Sequence, residues 1–224
     1  MNRTGILNYL IMVHKLSHYL EIGVRDPRYN YNKIKAKVKD GIDPDPKSTA
    51  PTKMTSDAYF ARMDEDFNWR KESRGFHIVF IDGLHVEAQA DKDVANAIKH
   101  TPPNGIIVLH DCNPKTRWHQ RSYDAYTEKS GEWNGTVWRT FAKLRMTRED
   151  LFMYTVDTDF GVGIIHKGGR QDMFRLDNDP FNFTTFDKRR ASLLRLVTPE
   201  KFQKIERAIS LGGIGRGPEE INSP

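Results

Sequence analysis

The sequence predicts an α/β fold, a doubly wound and mostly parallel sheet with helices on both faces. Three observations predict it. Continuous apolar runs of strand length recur, HYLEIGV at 18–24, FHIVFID at 76–82 and NGIIVLHD at 104–111, and such runs read as strands buried on both faces. Segments with apolar residues at helical spacing alternate with them. Each run also stops at a glycine or an acid, and in open α/β sheets ligands bind beyond the carboxyl ends of the strands.

Taken in order, ILNYLIMVHKL has helical spacing and opens the chain as a helix within residues 1–17. HYLEIGV is the first strand. YNKIKAKV offers a short helix, and VKDGIDPDP a second strand that must stop before its prolines, which cannot donate to a ladder. TAPTKMTSDAYFARM reads as a brief third strand followed by a helix with Ser56 or Asp57 as its N-cap. Residues 64–75 are mostly charged and read as loop. FHIVFID is the plainest strand and EAQADKDVANAIKH the plainest helix, with Ala88, Val94, Ala95 and Ile98 for its inner face; TPPNG ends it and leads into NGIIVLHD. Residues 115–135 are polar with Trp118, His119, Tyr123, Tyr126 and Trp133 interleaved, a length that suits a functional loop or lid better than a tight connection. TVWRTFAKLRM resumes a helix, and LFMYTVD and FGVGIIHKG, joined by Thr158 and Asp159, form an antiparallel hairpin. Residues 170–186 look irregular, FDKRRASLLRLV and PEKFQKIERAI helical, and GGIGRGPEEINSP is expected to fray.

Composition narrows the function. With 224 residues and 38% hydrophobic content the chain can bury one substantial core, so one domain with a tail is expected. Its net charge of +5 comes from basic residues interspersed with acids, as in RMDEDFNWRKESR, which is a mixed solvated surface rather than a nucleic-acid stripe. No run of about eighteen apolar residues exists to span a bilayer. GILNYLIMVHKL is interrupted by Asn8 and His14 and lacks a cleavage site, so a secretory signal is not expected. The single Cys112 excludes an internal disulfide and fits a reducing compartment. These features describe a cytoplasmic protein with neither a membrane nor a nucleic-acid partner.

Four strand ends then carry chemistry: Gly23, Asp43, Asp82 with His85, and His110 with Asp111. Right-handed crossovers bring such ends to one rim. Over residues 18–166 the segments YLEIGVRDPRYNYNKIKAKVKDGIDPDP and FIDGLHVEAQADKDVANAIKHTPPNGIIVLHDCNP resemble the class I S-adenosylmethionine-dependent methyltransferases, in the branch with IDG-x-H and HDxxP strand ends related to small-molecule O-methyltransferases. The resemblance implies a Rossmann-like, seven-stranded sheet whose final hairpin carries the reversed strand, a methyltransferase domain over 18–169, and a C-terminal irregular and helical extension over 170–224. It also implies S-adenosyl-L-methionine as cofactor and a small-molecule or sugar-type acceptor.

By that resemblance Glu21 and Gly23 belong to the first cofactor motif, Gly23 letting the backbone approach the cofactor and Glu21 placing its amino-acid moiety. Asp43 matches the acid that accepts from ribose hydroxyls, with Asp45 as a rival and a plain turn Asp as the bland alternative. Ser56 and Asp57 fall where the family contacts adenine, although both also suit a helix cap. One departure stands out: further glycines usually follow the first, whereas here Arg25, Asp26 and Pro27 do, which narrows the loop or turns Arg25 toward the cofactor carboxylate. Asp82, also an expected catalytic and cofactor-binding residue, lies where metal-dependent relatives keep an acidic ligand, with His110 and Asp111 completing a site for Mg2+ or Mn2+ and Asn113 as another oxygen donor. Loop-amide acceptors and a strand cap are the structural alternative for the same residues.

His85 is the expected general base, because an imidazole titrates near neutral pH and can take a hydroxyl proton as the methyl group leaves sulfur. Its ordinary alternative is an N-cap for the helix that follows. Two rival classes remain: a nucleotide-binding oxidoreductase, which would need the G-x-G-x-x-G turn that EIGVRDPR lacks, and a cofactor-binding protein without turnover, which would have no use for His85.

Overall fold

The computed structural model describes residues 1–65, 75–129, 131–175, 179 and 181–212. The expected loop at 64–75 and the expected frayed tail therefore lie largely outside the described residues. The elements run α1 (Arg3–Val13), β1 (His18–Ile22), a 3-10 turn (Tyr31–Lys33), β2 (Val38–Ile42), α2 (Ser56–Glu65), β3 (Ile78–Ile81), α3 (Glu87–His100) and β4 (Ile106–Leu109). After these come α4 (Tyr123–Glu128), α5 (Val137–Thr147), β5 (Leu151–Val156), β6 (Val162–Lys167), α6 (Phe183–Leu193), β7 (Leu196–Val197) and α7 (Pro199–Gly212).

The strands form one seven-stranded sheet in the order β2-β1-β3-β4-β6-β5-β7, in which β6 runs antiparallel to both neighbours and the other pairs are parallel. Two apolar layers cover its faces. Tyr19, Ile78, Phe80, Ile106, Val108 and Tyr154 pack under α1 and α7, while Leu20, Ile22, Val79, Ile107, Leu109 and Met153 pack under α2, α3, α5 and α6. Strands β3 and β4 read IVFI and IIVL and are buried throughout, because side chains that alternate between two covered faces leave no polar position. No helix of the described residues is long and apolar enough to cross a membrane.

The strand count matches the expectation, but its members differ. The brief strand expected near TAPTK is a single bridge between Ile42 and Thr52, and the seventh strand is Leu196–Val197, inside a segment expected to be helical, paired with Thr155–Val156. The helix expected at YNKIKAKV is one 3-10 turn. Asn8 explains this: its side chain donates to the Lys33 carbonyl (2.9 Å) and accepts from the Lys35 amide (2.8 Å), taking backbone groups that a helix needs for itself. In α3 the inner face is Ala90, Asp93, Val94 and Ala97, so the expected face is rotated and Ala88 and Ala95 point to solvent.

The chain leaves β1 for β2 on one side and reaches β3 on the other, so the carboxyl ends of β1 and β3 flank a topological switch point, the usual ligand crevice of such sheets. Gly23, at φ +90, sits there with no room for a side chain: an added Cβ would lie 2.2 Å from the Asp82 carbonyl oxygen.

Candidate active site

Strands β3 and β4 end in register, Ile81 opposite Leu109, so the residues that follow emerge side by side. The Asp82 amide donates to the Ile22 carbonyl (2.9 Å) and the His110 amide to the Ile81 carbonyl (3.0 Å), which carries the ladder one step beyond the strands. Asp111 then takes a left-handed backbone, φ 60, a conformation uncommon outside glycine and better tolerated by Asp than by most residues. The next amides, Cys112 and Asn113, donate to Gly161 (3.0 Å) and Phe160 (2.8 Å) in the turn between β5 and β6. Arg190 of α6 donates to Asn113 Oδ1 (2.7 Å) and to the Pro114 carbonyl (2.9 Å), clamping the same loop from outside.

These constraints gather three carboxylates and two imidazoles. Asp82 Oδ1 lies 3.1 Å from His110 Nδ1 and 3.4 Å from His85 Nε2. Asp111 Oδ2 lies 3.1 Å from the same His110 nitrogen and 3.2 Å from His85 Nδ1. Asp159, from the hairpin turn, faces His110 Nε2 at 3.5 Å. Arg3, the first residue of α1, donates to Asp82 Oδ2 at 2.7 Å and to Asp159 through its amide (2.9 Å) and Nε (3.1 Å). Asn134 donates to Asp111 through a short bond.

The electrostatics follow from this packing. Burial opposes charge on His110, but Asp82 and Asp111 outweigh it and hold the imidazole well above its ordinary pKa. Burial would likewise raise Asp82, yet His110 and His85 hold it well below the usual carboxylate range. His85 is also raised, burial being overcome by Asp82 and Asp111.

His85 joins the two expected carboxylates among the residues able to hold a cation. Asp82, His85 and Asp111 bring one donor atom each within 4.8 Å of one another. His110, expected as a ligand, lies between the same two carboxylates, its Nδ1 3.1 Å from Asp82 Oδ1 and 3.1 Å from Asp111 Oδ2. Asn113 Oδ1 is taken by Arg190.

His85 does not cap α3. The N-cap position is Val86, and the Glu87 amide is satisfied by Thr136 Oγ1 at 2.8 Å. His85 faces the 115–135 loop instead, stacked on Trp133 with ring centroids 5.3 Å apart. Trp133 stacks in turn on Tyr126 at 4.4 Å and donates from Nε1 to the Arg121 carbonyl (2.8 Å). Buried Arg121 lies over Trp118 at 4.2 Å and donates to the carbonyls of Trp118, Lys129 and Glu132. The loop is thus a braced wall beside His85. Gly135, at φ +60, lets it close, because a Cβ there would lie 1.8 Å from the His85 carbonyl oxygen.

With that geometry fixed, residues 28–112 match the family model described as a methyltransferase domain. The structure is similar to an O-methyltransferase from Bacillus cereus in complex with SAH, at 13% identity over 74% of this chain and 80% of that one, with a TM-score of 0.50. It is also similar to a putative O-methyltransferase from Klebsiella pneumoniae, at 12% identity over 75% and 80% of the two chains, with a TM-score of 0.52. No curated protein matches the sequence. The fold is that of the class I methyltransferases.

Within this methyltransferase fold the expected cofactor residues are spread along one rim. Glu21 is buried, accepting from Tyr19 Oη (2.5 Å) and Asn30 Nδ2 (2.9 Å), and burial pushes its carboxyl up to about 7. Asp43 accepts from the amides of Arg25 (2.7 Å) and Asp45 (2.8 Å), which makes Asp45 part of its turn. Arg25 itself is exposed with φ 52, its carbonyl held by Ser48 Oγ (2.8 Å) and the Thr49 amide (3.0 Å). Ser56 donates to buried Asp93 (2.5 Å), and Asp57 accepts from Gln89 (3.1 Å) and Lys92 (2.9 Å), so both tie α2 to α3.

Arg3, Asp159 and Asn134 are the members of the cluster that sequence reasoning missed. Asp159 read as a turn residue and Arg3 preceded the apolar pattern of the leading helix. Only the sheet brings Arg3 against an acid 79 positions away.

Proposed function

We propose that the protein transfers a methyl group from S-adenosylmethionine to a hydroxyl of a small-molecule acceptor, with His85 accepting the hydroxyl proton. The observation that carries this reading is the convergence of His85 with Asp82 and Asp111 at the carboxyl ends of β3 and β4, beside the switch point of a methyltransferase fold. Glu21, Gly23 and Asp43 would hold the cofactor along β1 and β2: an ionised carboxylate such as Asp43 has about four lone-pair sites, so its two turn amides leave room for ribose hydroxyls.

In this reading the acceptor oxygen attacks the methyl carbon, the carbon–sulfur bond breaks, and sulfur keeps the electron pair as an uncharged thioether. The proton passes from the oxygen to His85. Alignment supplies much of the rate, and the Trp133 wall keeps the imidazole ring in place while limiting water. Because Asp82 and Asp111 raise the pKa of His85, the neutral form that a base requires grows in above the ordinary imidazole range. The domain over 18–169 would be the catalytic unit, with residues 1–17 and 170–224 as supports, in a cytoplasmic protein.

A second reading rests on the donor set itself. Asp82, His85 and Asp111 offer one nitrogen and two carboxylate oxygens, a mixture suited to Mn2+ or a later transition metal more than to Mg2+. A divalent ion bound there would supply Lewis acidity toward the acceptor hydroxyl, with His85 as ligand rather than base. Isothermal titration tests the main reading: S-adenosylmethionine and its demethylated product should bind, and binding of NAD alone at millimolar concentration would overturn it. Turnover in excess chelator decides between base and ligand for His85.

A further inference from the structure

Arg3 is the permanent cation of the carboxylate cluster, and its place in the chain is unusual. It is the first residue of α1, where the helix dipole disfavours positive charge. Asp159 offsets that: one carboxylate takes the Arg3 backbone amide, as a helix N-terminus prefers, and also Nε and Nη2 of the guanidinium (3.1 and 3.3 Å). The remaining nitrogen, Nη1, reaches Asp82 Oδ2 at 2.7 Å and lies 3.3 Å from His110 Nδ1. The turn holding Asp159 is itself fixed to the start of the chain by Thr158 Oγ1, which donates to the Met1 carbonyl at 2.7 Å. The guanidinium is thus placed deliberately, with its side chain one third exposed.

We infer that Arg3 and a divalent ion compete as counter-cations for the Asp82 carboxylate, so that the N-terminal helix sets how readily the site accepts metal. This rests on the reading of Asp82, His85 and Asp111 as a cation site. The three donor atoms lie on the side of Asp82 that faces the histidines, and Arg3 holds the other oxygen. An ion bound there shares one carboxylate with a fixed positive charge. Docking of Arg3 disfavours the ion, and the ion disfavours docking of Arg3.

The test is titration of Mn2+ into the full chain, followed by calorimetry and by the loss of the free-ion electron paramagnetic resonance signal. Arg3→Gln removes the charge and keeps hydrogen-bonding capacity. It should tighten Mn2+ binding by at least about tenfold, since a divalent ion and a unit charge across one carboxylate repel appreciably even under bulk-water screening. Arg3→Lys keeps the charge and should stay within about threefold of the wild type, so the pair separates charge from loss of the helix contact. Asp82→Asn should abolish binding in either background. Equal or weaker binding in Arg3→Gln, with a wild type that binds, overturns the inference alone and makes Arg3 a partner that orients Asp82. Absence of Mn2+ binding at millimolar concentration in the wild type and both Arg3 variants overturns the cation-site reading and the inference with it. Binding that appears only in Arg3→Gln supports both.

Discussion

Two buried histidine–carboxylate clusters lie on this one sheet, and they are built differently. Glu206 of α7 is fully buried; it accepts from His14 at 2.5 Å, from His166 at 2.8 Å and from Tyr154 through a short bond. Its partners come from the end of α1 and from within β5 and β6. The Asp82 cluster instead sits largely on residues that follow strand ends, two of them, Asp111 and Asp159, at positive φ, and His85 and Arg3 keep part of their side chains in solvent. A carboxylate enclosed by donors is a structural tie between layers. Carboxylates at strand ends beside a partly exposed imidazole can reach a ligand.

This contrast is sharpest at His85. His85→Ala should lower turnover by about two to four powers of ten, the usual contribution of a positioned base, with the S-adenosylmethionine affinity of the folded protein nearly unchanged. The rising limb of the pH–rate profile should lie above 6.5, the ordinary value from which this imidazole is raised, and should vanish in the variant. A folded, fully active His85→Ala protein would move the base elsewhere, to Asp111 or His119.

Glu206→Ala should do the reverse. Removing one partner of a buried ionic set leaves the others uncompensated and costs about 3–5 kcal/mol, read as a lowered denaturation midpoint, whereas the folded fraction should keep its cofactor affinity. A variant as stable as the wild type would refute the tie between α7 and the sheet.

The pH dependence of stability probes the same tie. Burial would raise Glu206, but His166, His14 and Tyr154 hold it down to about 2 from 4.5. A lowered folded pKa means that the contribution is fully present above 4.5 and is lost as pH falls toward 2, about 3 kcal/mol if the whole shift is expressed. Glu21 works in the opposite sense: its folded pKa is raised from 4.5 to about 7, so stability falls as pH rises across that window. Denaturant melts from pH 2 to pH 8 should show the acid-side loss removed in Glu206→Gln and the upper-side loss removed in Glu21→Gln.

The smallest effect is expected at the helix pair. Ser56→Ala deletes the bond to Asp93 and should lower stability by about 1 kcal/mol, with little change in S-adenosylmethionine affinity. A large loss of affinity at unchanged stability would restore Ser56 to the adenine site.

Sequence patterns exposed what depends on local order. Strands β3 and β4 and helix α3 were legible because IVFI, IIVL and the segment between them state burial and period outright. The strand-end placement of Asp82, His85, His110 and Asp111 followed from those bounds. Features decided by distant partners were not legible. Asn8 unravels the helix expected at 31–38, Thr136 accepts from the amide at the start of α3, and His85 brings a donor atom to Asp82 and Asp111. The rotation of α3 likewise follows Asp93, a charged residue that turns inward to meet Ser56, against any reading by hydrophobicity.

The stack of Trp133 on His85 has an optical consequence. A protonated imidazole in contact with an indole quenches its fluorescence by accepting excited-state charge, and a neutral imidazole does so much less. Emission from Trp133 should therefore brighten as pH rises through the His85 titration, so the protonation of the candidate base can be followed by light before any acceptor is identified. Among the described residues Trp118 and Trp138 contact Arg121, Phe181 and Phe186 rather than a histidine ring, and Trp133→Phe should remove the part of the signal that follows His85.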